Sequence, residues 1–199
     1  MATIQLTRKS KETDICLALN PDGTGQIELD TGFGFFDHFL TALCYYAGWD
    51  LNLKAQGDLE VDGHHLVEDA ALALGTALTK SLAGQRRRFG KSLMPMDDAL
   101  VMVALDTGGR PFFAHDIPSQ AGAPNPFTGE LAVEFFRGLT NAAGWCLHVR
   151  CLAGENGHHL LEALAKGTGL AIAEALEPVQ QTGERSTKGQ VKLGWELKP

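Results

Sequence analysis

The chain is written twice, and that duplication limits its fold more than any other feature of the sequence. His38-Phe39-Leu40-Thr41-Ala42-Leu43, followed by Ala47-Gly48-Trp49, answers to Glu134-Phe135-Phe136-Arg137-Gly138-Leu139, followed by Ala143-Gly144-Trp145, a shift of 96 residues from His38 to Glu134. Gly63-His64-His65-Leu66-Val67-Glu68 answers to Gly157-His158-His159-Leu160-Leu161-Glu162 at a shift of 94, and Gly75 answers to Gly169 at the same shift. Two unrelated amphipathic helices would share apolar spacing but not a repeated His-His-x-x-Glu. The match predicts two copies of one supersecondary unit, residues 1–90 and 91–199, fused into one compact domain.

Within each copy the periodicity alternates between strand and helix, which predicts an α/β fold with pseudo-twofold halves. Glu12 to Asn20 places Ile15, Leu17 and Leu19 at a two-residue period, and Asn20-Pro21-Asp22-Gly23 reads as a turn into Gly25 to Leu29, predicting a hairpin. Ala99 to Leu105 and Pro111 to Ala114 predict a second hairpin around Thr107-Gly108-Gly109. Helices are expected over Phe36 to Tyr46, closed by Gly48, over Val67 to Ala83, ended by Gly84, and over Leu131 to Ala142 and His158 to Ala175. Short strands are expected at Leu51 to Ala55 and Cys146 to Leu152. Pro118 to Thr128 reads as a loop, and Thr182 to Gly189 as a polar loop before a last strand, Gln190 to Leu197.

Charge narrows the partners. Seventeen basic against 24 acidic residues give a net charge of −7, which argues against wholesale capture of nucleic acid or an anionic membrane. No apolar run reaches the roughly 20 residues of a membrane span, and the polar start of the chain does not read as a signal peptide. Cys16, Cys44, Cys146 and Cys151 form no Cys-x-x-Cys pair, so reduced thiols in the cytoplasm are the simplest reading.

Four of the seven histidines lie in the two repeated doublets. A histidine opening a helix and a glutamate four positions later share one face, so His64 with Glu68, and His158 with Glu162, can each converge on one ion. The neighbouring imidazoles, His65 and His159, point roughly 100° away around the helix, so each doublet suits two metals. His38 and Glu134 occupy matched positions on the other helices, completing eight donors for two ions with coordination positions left for water or substrate. Imidazole and carboxylate without thiolate suit manganese, zinc, iron or nickel. His115 and His148 lie outside this pattern and read as ordinary hydrogen-bonding histidines.

Arg88 and Arg110 sit in loops where their planar multidonor groups suit phosphate oxygens. Ser186-Thr187-Lys188-Gly189 adds hydroxyls, a cation and backbone donors, although such tetrapeptides are also common in plain loops. Lys166 lies four residues after Glu162, where an ordinary helix-surface ion pair and an anion contact beside a metal both fit. Glu12 opens a strand, and the repeat gives it no counterpart.

Lys11-Glu12-Thr13-Asp14, Gly34-Phe35-Phe36-Asp37-His38-Phe39-Leu40, Gly57-Asp58-Leu59-Glu60-Val61-Asp62-Gly63-His64-His65 with Glu68-Asp69, Arg88-Phe89-Gly90, Pro95-Met96-Asp97, Gly109-Arg110, Asn156-Gly157-His158-His159 and Ser186-Thr187-Lys188-Gly189 occur in order. Over nearly its whole length the chain resembles imidazoleglycerol-phosphate dehydratase, the hydro-lyase family of histidine biosynthesis. The resemblance implies a duplicated two-layer α/β sandwich like domain 2 of ribosomal protein S5. It also implies a hollow homo-oligomer of 24 subunits with intersubunit active sites, and two Mn2+ ions per site. It makes His38, His64, His65, Glu68, His158, His159 and Glu162 metal ligands. Glu134 stands where many members carry histidine, and the loop from Gly84 to Arg88 is shorter than usual.

The implied substrate is D-erythro-1-(imidazol-4-yl)glycerol 3-phosphate, its phosphate held by Arg88, Arg110, Lys166, Ser186 and Lys188, with Thr187 between them. Glu12 would meet the glycerol portion and serve as acid or base, with Glu68, Glu162 or a metal-bound water at the other end, and His65 and His159 count with them as catalytic residues. From the residues alone two other classes fit: a dinuclear-metal phosphatase or hydrolase acting on a small phosphorylated substrate, and a non-enzymatic metal-binding assembly.

Overall fold

The computed structural model describes residues 3–82, 85–123 and 125–179. Gly84, the tail from Thr182 to Gly189 with Ser186, Thr187 and Lys188, and the strand expected at Gln190 to Leu197 lie outside the described residues.

Two four-stranded sheets repeat one connectivity. β1 (Ile4–Lys9), β2 (Thr13–Asn20), β3 (Ile27–Asp30) and β4 (Asp50–Gly57) form the first, in the order β1-β2-β4-β3. β5 (Phe89–Met96), β6 (Ala99–Asp106), β7 (Phe112–Ala114) and β8 (Cys146–Ala153) form the second, in the order β5-β6-β8-β7. Helices α1 (Gly34–Ala47) and α2 (His64–Ser81) follow β3 and β4, and α3 (Gly129–Ala143) and α4 (Gly157–Leu176) follow β7 and β8. The result is an α/β fold of two similar halves.

Strand alternation decides which face of each sheet meets the helices. Ile15, Leu17, Leu19, Leu51, Leu53 and Ala55 are buried on the inner face of the first sheet, and Val101, Val103, Leu105, Leu147 and Val149 on that of the second. The outer faces differ: Cys16, Asn52, Lys54 and Gln56 are exposed on the first, whereas Leu93, Met102 and Leu152 are exposed on the second.

Both expected hairpins are corrected. β2 does not pair with β3; it pairs antiparallel with β1 and with β4, and β3 runs parallel to β4 at the edge. β4 carries three buried apolar residues and takes the central place, while β3 is only half buried. The loop between β2 and β3 is held across the sheet by Asp50 Oδ1, which accepts the N–H groups of Thr24 at 2.7 Å and Gln26 at 3.0 Å. Likewise β6 pairs with β5 and β8, and β7 joins β8 in parallel. All four helices form where the periodicity placed them, and Gly48 and Gly144 close α1 and α3 in the left-handed conformation.

The helices are exchanged between the halves: α1 packs on α4, and α2 packs on α3. Two glycines permit it. A Cβ on Gly75 would lie 2.7 Å from the Leu139 carbonyl and 2.8 Å from the Ala142 side chain; one on Gly169 would lie 2.5 Å from the Leu43 carbonyl and 2.8 Å from the Tyr46 side chain. Leu43 and Tyr46 answer to Leu139 and Ala142 at the same shift of 96 that relates His38 to Glu134, so the duplication in sequence is a duplication of contacts. No helix among the described residues is long and apolar enough to cross a membrane.

Helix propensity alone would make Gly→Ala stabilising at both sites by about 0.5–1 kcal/mol. Packing reverses the sign: Gly75→Ala and Gly169→Ala should each destabilise by about 1–3 kcal/mol, from overpacking of the helix crossing. Gly34→Ala, where a Cβ meets nothing within 4 Å, should not. Thermal melts of the three variants check the contrast.

Candidate metal centre

The doublets open α2 and α4 because of what precedes them. The Asn156 side chain accepts the N–H groups of His158 at 2.9 Å and His159 at 3.3 Å, capping α4. Asp62, at the matched position, accepts the His64 N–H at 2.8 Å. The two rings of each doublet then diverge: 86° between planes for His64 and His65, 90° for His158 and His159. The two imidazoles of each pair therefore do not share one plane of approach.

Where α1 crosses α4, three donors meet. His38 Nε2 lies 3.4 Å and His158 Nε2 3.2 Å from the same Glu162 oxygen, Oε2, and the three ligand atoms fall within 4.8 Å of one another. This is the one such three-donor group among the described residues. Two imidazoles and a carboxylate sharing a focus are a donor set suited to a divalent transition metal. Phe35 presents its edge to both rings, at 5.6 Å from His38 and 5.1 Å from His158, and Phe127 stacks behind it. The aromatic rings pack against one side of both imidazoles, which stay exposed on the other.

Glu162 also binds Lys166, Oε1 to Nζ at 2.7 Å. Burial pushes the Glu162 carboxyl up, but Lys166 and His38 outweigh it and hold it below the ordinary glutamate range. Glu162 in turn raises the Lys166 ammonium. The ion pair leaves Glu162 an anion at neutral pH, as a ligand must be.

The other histidine of each doublet is held by aspartate. His65 Nδ1 lies 3.0 and 3.1 Å from the Asp58 oxygens, and Glu12 Oε1 stands 4.0 Å from His65 Nε2. The Asp58 hydrogen bond, only partly offset by desolvation, raises the His65 pKa, with the Glu12 and Asp62 charges adding to it. His159 Nδ1 lies 2.6 Å from Asp98 Oδ1, and Asp97 stands 3.4 Å from Nε2. Asp98 is held well below the usual carboxylate range, first by the Asn156 N–H, then by His159 and by the Glu155 N–H. In both pairs an Nδ1–H donating to a carboxylate leaves Nε2 as the nitrogen that could hold a metal.

Asp97 and Asp98 escaped the repeat. The β1–β2 and β5–β6 registers superpose at a shift of 86, from the pair Ile4 and Leu19 to the pair Gly90 and Leu105, and this shift carries Glu12 onto Asp98. Glu12 therefore has a counterpart, hidden because hairpins and helices repeat at different shifts.

The remaining candidates are dispersed. His64 lines a cavity with Phe33, Asp62 and Glu130, and Glu68 lies half-buried on α2. Glu134 pairs with Arg137 one turn along α3. Arg88, with φ of 75°, binds Asp106 through Nε at 2.7 Å and Nη2 at 3.0 Å, while Arg110 is exposed in the loop after β6.

Residues 31–172 match the protein family described as imidazoleglycerol-phosphate dehydratase. The imidazoleglycerol-phosphate dehydratase of Desulfitobacterium hafniense is 46% identical over 193 residues, covering 95% of this chain and 98% of the relative. That of Desulforudis audaxviator is 44% identical over 189 residues, covering 94% and 96%. The crystal structure of IGPD from Pyrococcus furiosus superposes with a TM-score of 0.81 at 38% identity, covering 94% of this chain and all of that one. The Staphylococcus aureus enzyme gives 0.80 at 29% identity, covering 89% and 100%.

Losing a carboxylate that orients a metal-binding imidazole typically lowers metal affinity about 10- to 100-fold. Asp98→Asn should show that loss in a competition titration against a chelator, with the fold unchanged by circular dichroism.

Proposed function

The chain belongs to the imidazoleglycerol-phosphate dehydratase family, and on that footing we propose that it dehydrates D-erythro-1-(imidazol-4-yl)glycerol 3-phosphate to 3-(imidazol-4-yl)-2-oxopropyl phosphate and water in histidine biosynthesis. The observation that carries the reading is the meeting of His38, His158 and Glu162 at the crossing of α1 and α4. We assign the halves to residues 1–90 and 91–199, fused into one catalytic domain, each half a two-layer unit like domain 2 of ribosomal protein S5.

We assign two Mn2+ ions per site, held by His38, His64, His65, Glu68, Glu134, His158, His159 and Glu162, with other divalent transition metals able to substitute. A single chain gathers three of these donors in one place, and the α2–α3 pair carries His64, His65, Glu68 and Glu134 elsewhere. The reading therefore includes sites completed between subunits of a 24-subunit homo-oligomer. Leu93, Met102 and Leu152, exposed on the outer face of the second sheet, support burial against further copies. No nucleic acid or membrane partner is assigned, and the protein is placed in the cytoplasm.

When bound, the metal pair supplies Lewis-acid stabilisation of negative charge developing on the substrate's imidazole ring. The chain does the rest. Phe35, backed by Phe127, packs against His38 and His158, and Asp58 and Asp98 fix the orientations of His65 and His159. Glu12, beside His65, exchanges protons at the glycerol end, which requires an approach of about 2.6–3.2 Å to the proton it moves. Glu68 and Glu162 are the carboxylates at the imidazole end. Arg110, Arg88, Lys166, Ser186, Thr187 and Lys188 hold the phosphate.

Incubation with the substrate should yield a ketone that retains its phosphate, seen by carbon and phosphorus NMR; inorganic phosphate without ketone would mean a hydrolase instead. His158→Ala should lose metal and at least about a hundredfold in kcat together. Full turnover at unchanged metal content would remove His158 from the site.

A further inference from the structure

The first half contains a buried polar network that the matched positions of the second half lack. Asp69 on α2 is 7% exposed and accepts the Thr13 hydroxyl at 2.5 Å through Oδ2 and Arg8 Nη2 at 2.6 Å through Oδ1. Thr13, itself 4% exposed, lies 3.2 Å from the Ser10 hydroxyl, whose oxygen accepts the backbone N–H groups of Glu12 at 3.1 Å and Thr13 at 3.0 Å. An unbroken hydrogen-bonded chain thus runs from α2 to the main chain of Glu12.

The duplication supplies the control. The hairpin shift of 86 carries Arg8 onto Met94 and Thr13 onto Ala99, and the helix shift of 94 carries Asp69 onto Ala163. Ala99 and Ala163 are 2% and 0% exposed, so at these matched positions the second hairpin packs on its helix with apolar side chains, and its polar contacts to α4, Ser92 Oγ to the Gly167 carbonyl at 2.7 Å and the Lys91 N–H to Glu174 Oε2 at 2.8 Å, lie elsewhere along β5. Burying a carboxylate costs several kcal/mol unless it is paired, and an apolar replacement of a buried polar group is often as stable. This hairpin–helix contact can therefore be built without polar groups at these three positions.

The two turns also differ in how they are held. Asp98 anchors its own turn by accepting the N–H groups of Glu155 at 2.7 Å and Asn156 at 2.9 Å. The Glu12 carboxylate makes no hydrogen bond among the described residues, and its nearest ion-pair partner is His65 Nε2 at 4.0 Å. The first turn is fixed from behind, which leaves the carboxylate available.

We propose that Asp69, acting through Thr13 and Ser10 and steadied by Arg8, is a positioning residue that fixes the turn bearing Glu12 against α2. The inference rests on the reading of Glu12 as a proton carrier. Asp69 touches neither substrate nor metal in this role; it sets where the Glu12 carboxylate stands relative to His65.

The test copies the second half into the first, in the intact metal-loaded protein. The triple variant Arg8→Met/Thr13→Ala/Asp69→Ala is compared with Glu12→Gln and with the four substitutions combined, reading kcat, KM, melting temperature and metal content. The triple variant should keep its melting temperature and metal, hold KM within about threefold, and lose about 10²-fold in kcat, the scale of a misplaced catalytic group. Adding Glu12→Gln to it should cost less than about threefold more, because residues acting through one another are not additive.

Losses that multiply, or a triple variant as fast as the parent, would overturn the positioning role while leaving Glu12 intact. Parent-like turnover in Glu12→Gln alone would remove Glu12 from catalysis, and the positioning role with it. Should the triple variant melt early, Thr13→Ser and Thr13→Val decide. Retained kcat in Ser with a loss of about tenfold or more in Val supports the hydroxyl's role, and equal kcat in both overturns it.

Discussion

The structure depends on the closeness of two helix crossings. At Gly169 the α4 backbone comes against the Leu43 carbonyl of α1, and at Gly75 α2 comes against the Leu139 carbonyl of α3. Only at that separation can His38, carried by α1, share a carboxylate oxygen with His158, carried by α4. The missing side chain of Gly169 is thus a condition for a candidate metal-binding group elsewhere on the same two helices. Helix packing and coordination chemistry are one constraint here, because the donors are distributed between elements rather than gathered on a loop.

Much of this was legible because it was written as residue type and interval. The repeated doublets, Trp49 and Trp145, and Gly75 and Gly169 located four helices and the faces that carry the candidate donors from the sequence alone. Strand pairing was not legible, since neighbouring strands read as hairpins until burial is counted across the sheet. β4 displaces β3 from β2 because Leu51, Leu53 and Ala55 need two neighbours and an inner face. β5 escaped notice altogether: Leu93 points outward and Pro95 interrupts the pattern, which an edge strand tolerates. At the site, donor types were readable but their partners were not. Asp58 reaches His65 from the loop before α2, and Asp98 reaches His159 from a hairpin, so no single interval relates them.

The halves have kept their framework and diverged in detail. One hairpin meets its helix through Arg8, Thr13 and Asp69, the other through Met94, Ala99 and Ala163. One sheet shows the solvent Lys54 and Gln56, the other Leu93 and Met102. Internal copies of this kind separate what a fold needs from what a site needs. Apart from the repeated His-His-x-x-Glu donors, what both copies retain belongs to the framework, and a buried polar group that one copy alone carries at a cost in desolvation calls for another explanation.

The exchange of helices between halves has a consequence during synthesis. α1 is translated well before α4, so its apolar side, with Phe36, Phe39 and Leu43, leaves the ribosome long before the surface that covers it exists. At about 5–20 residues per second the delay is several seconds, far longer than helix formation takes. The nascent first half is therefore a natural client for chaperones, and it closes only when the second half arrives.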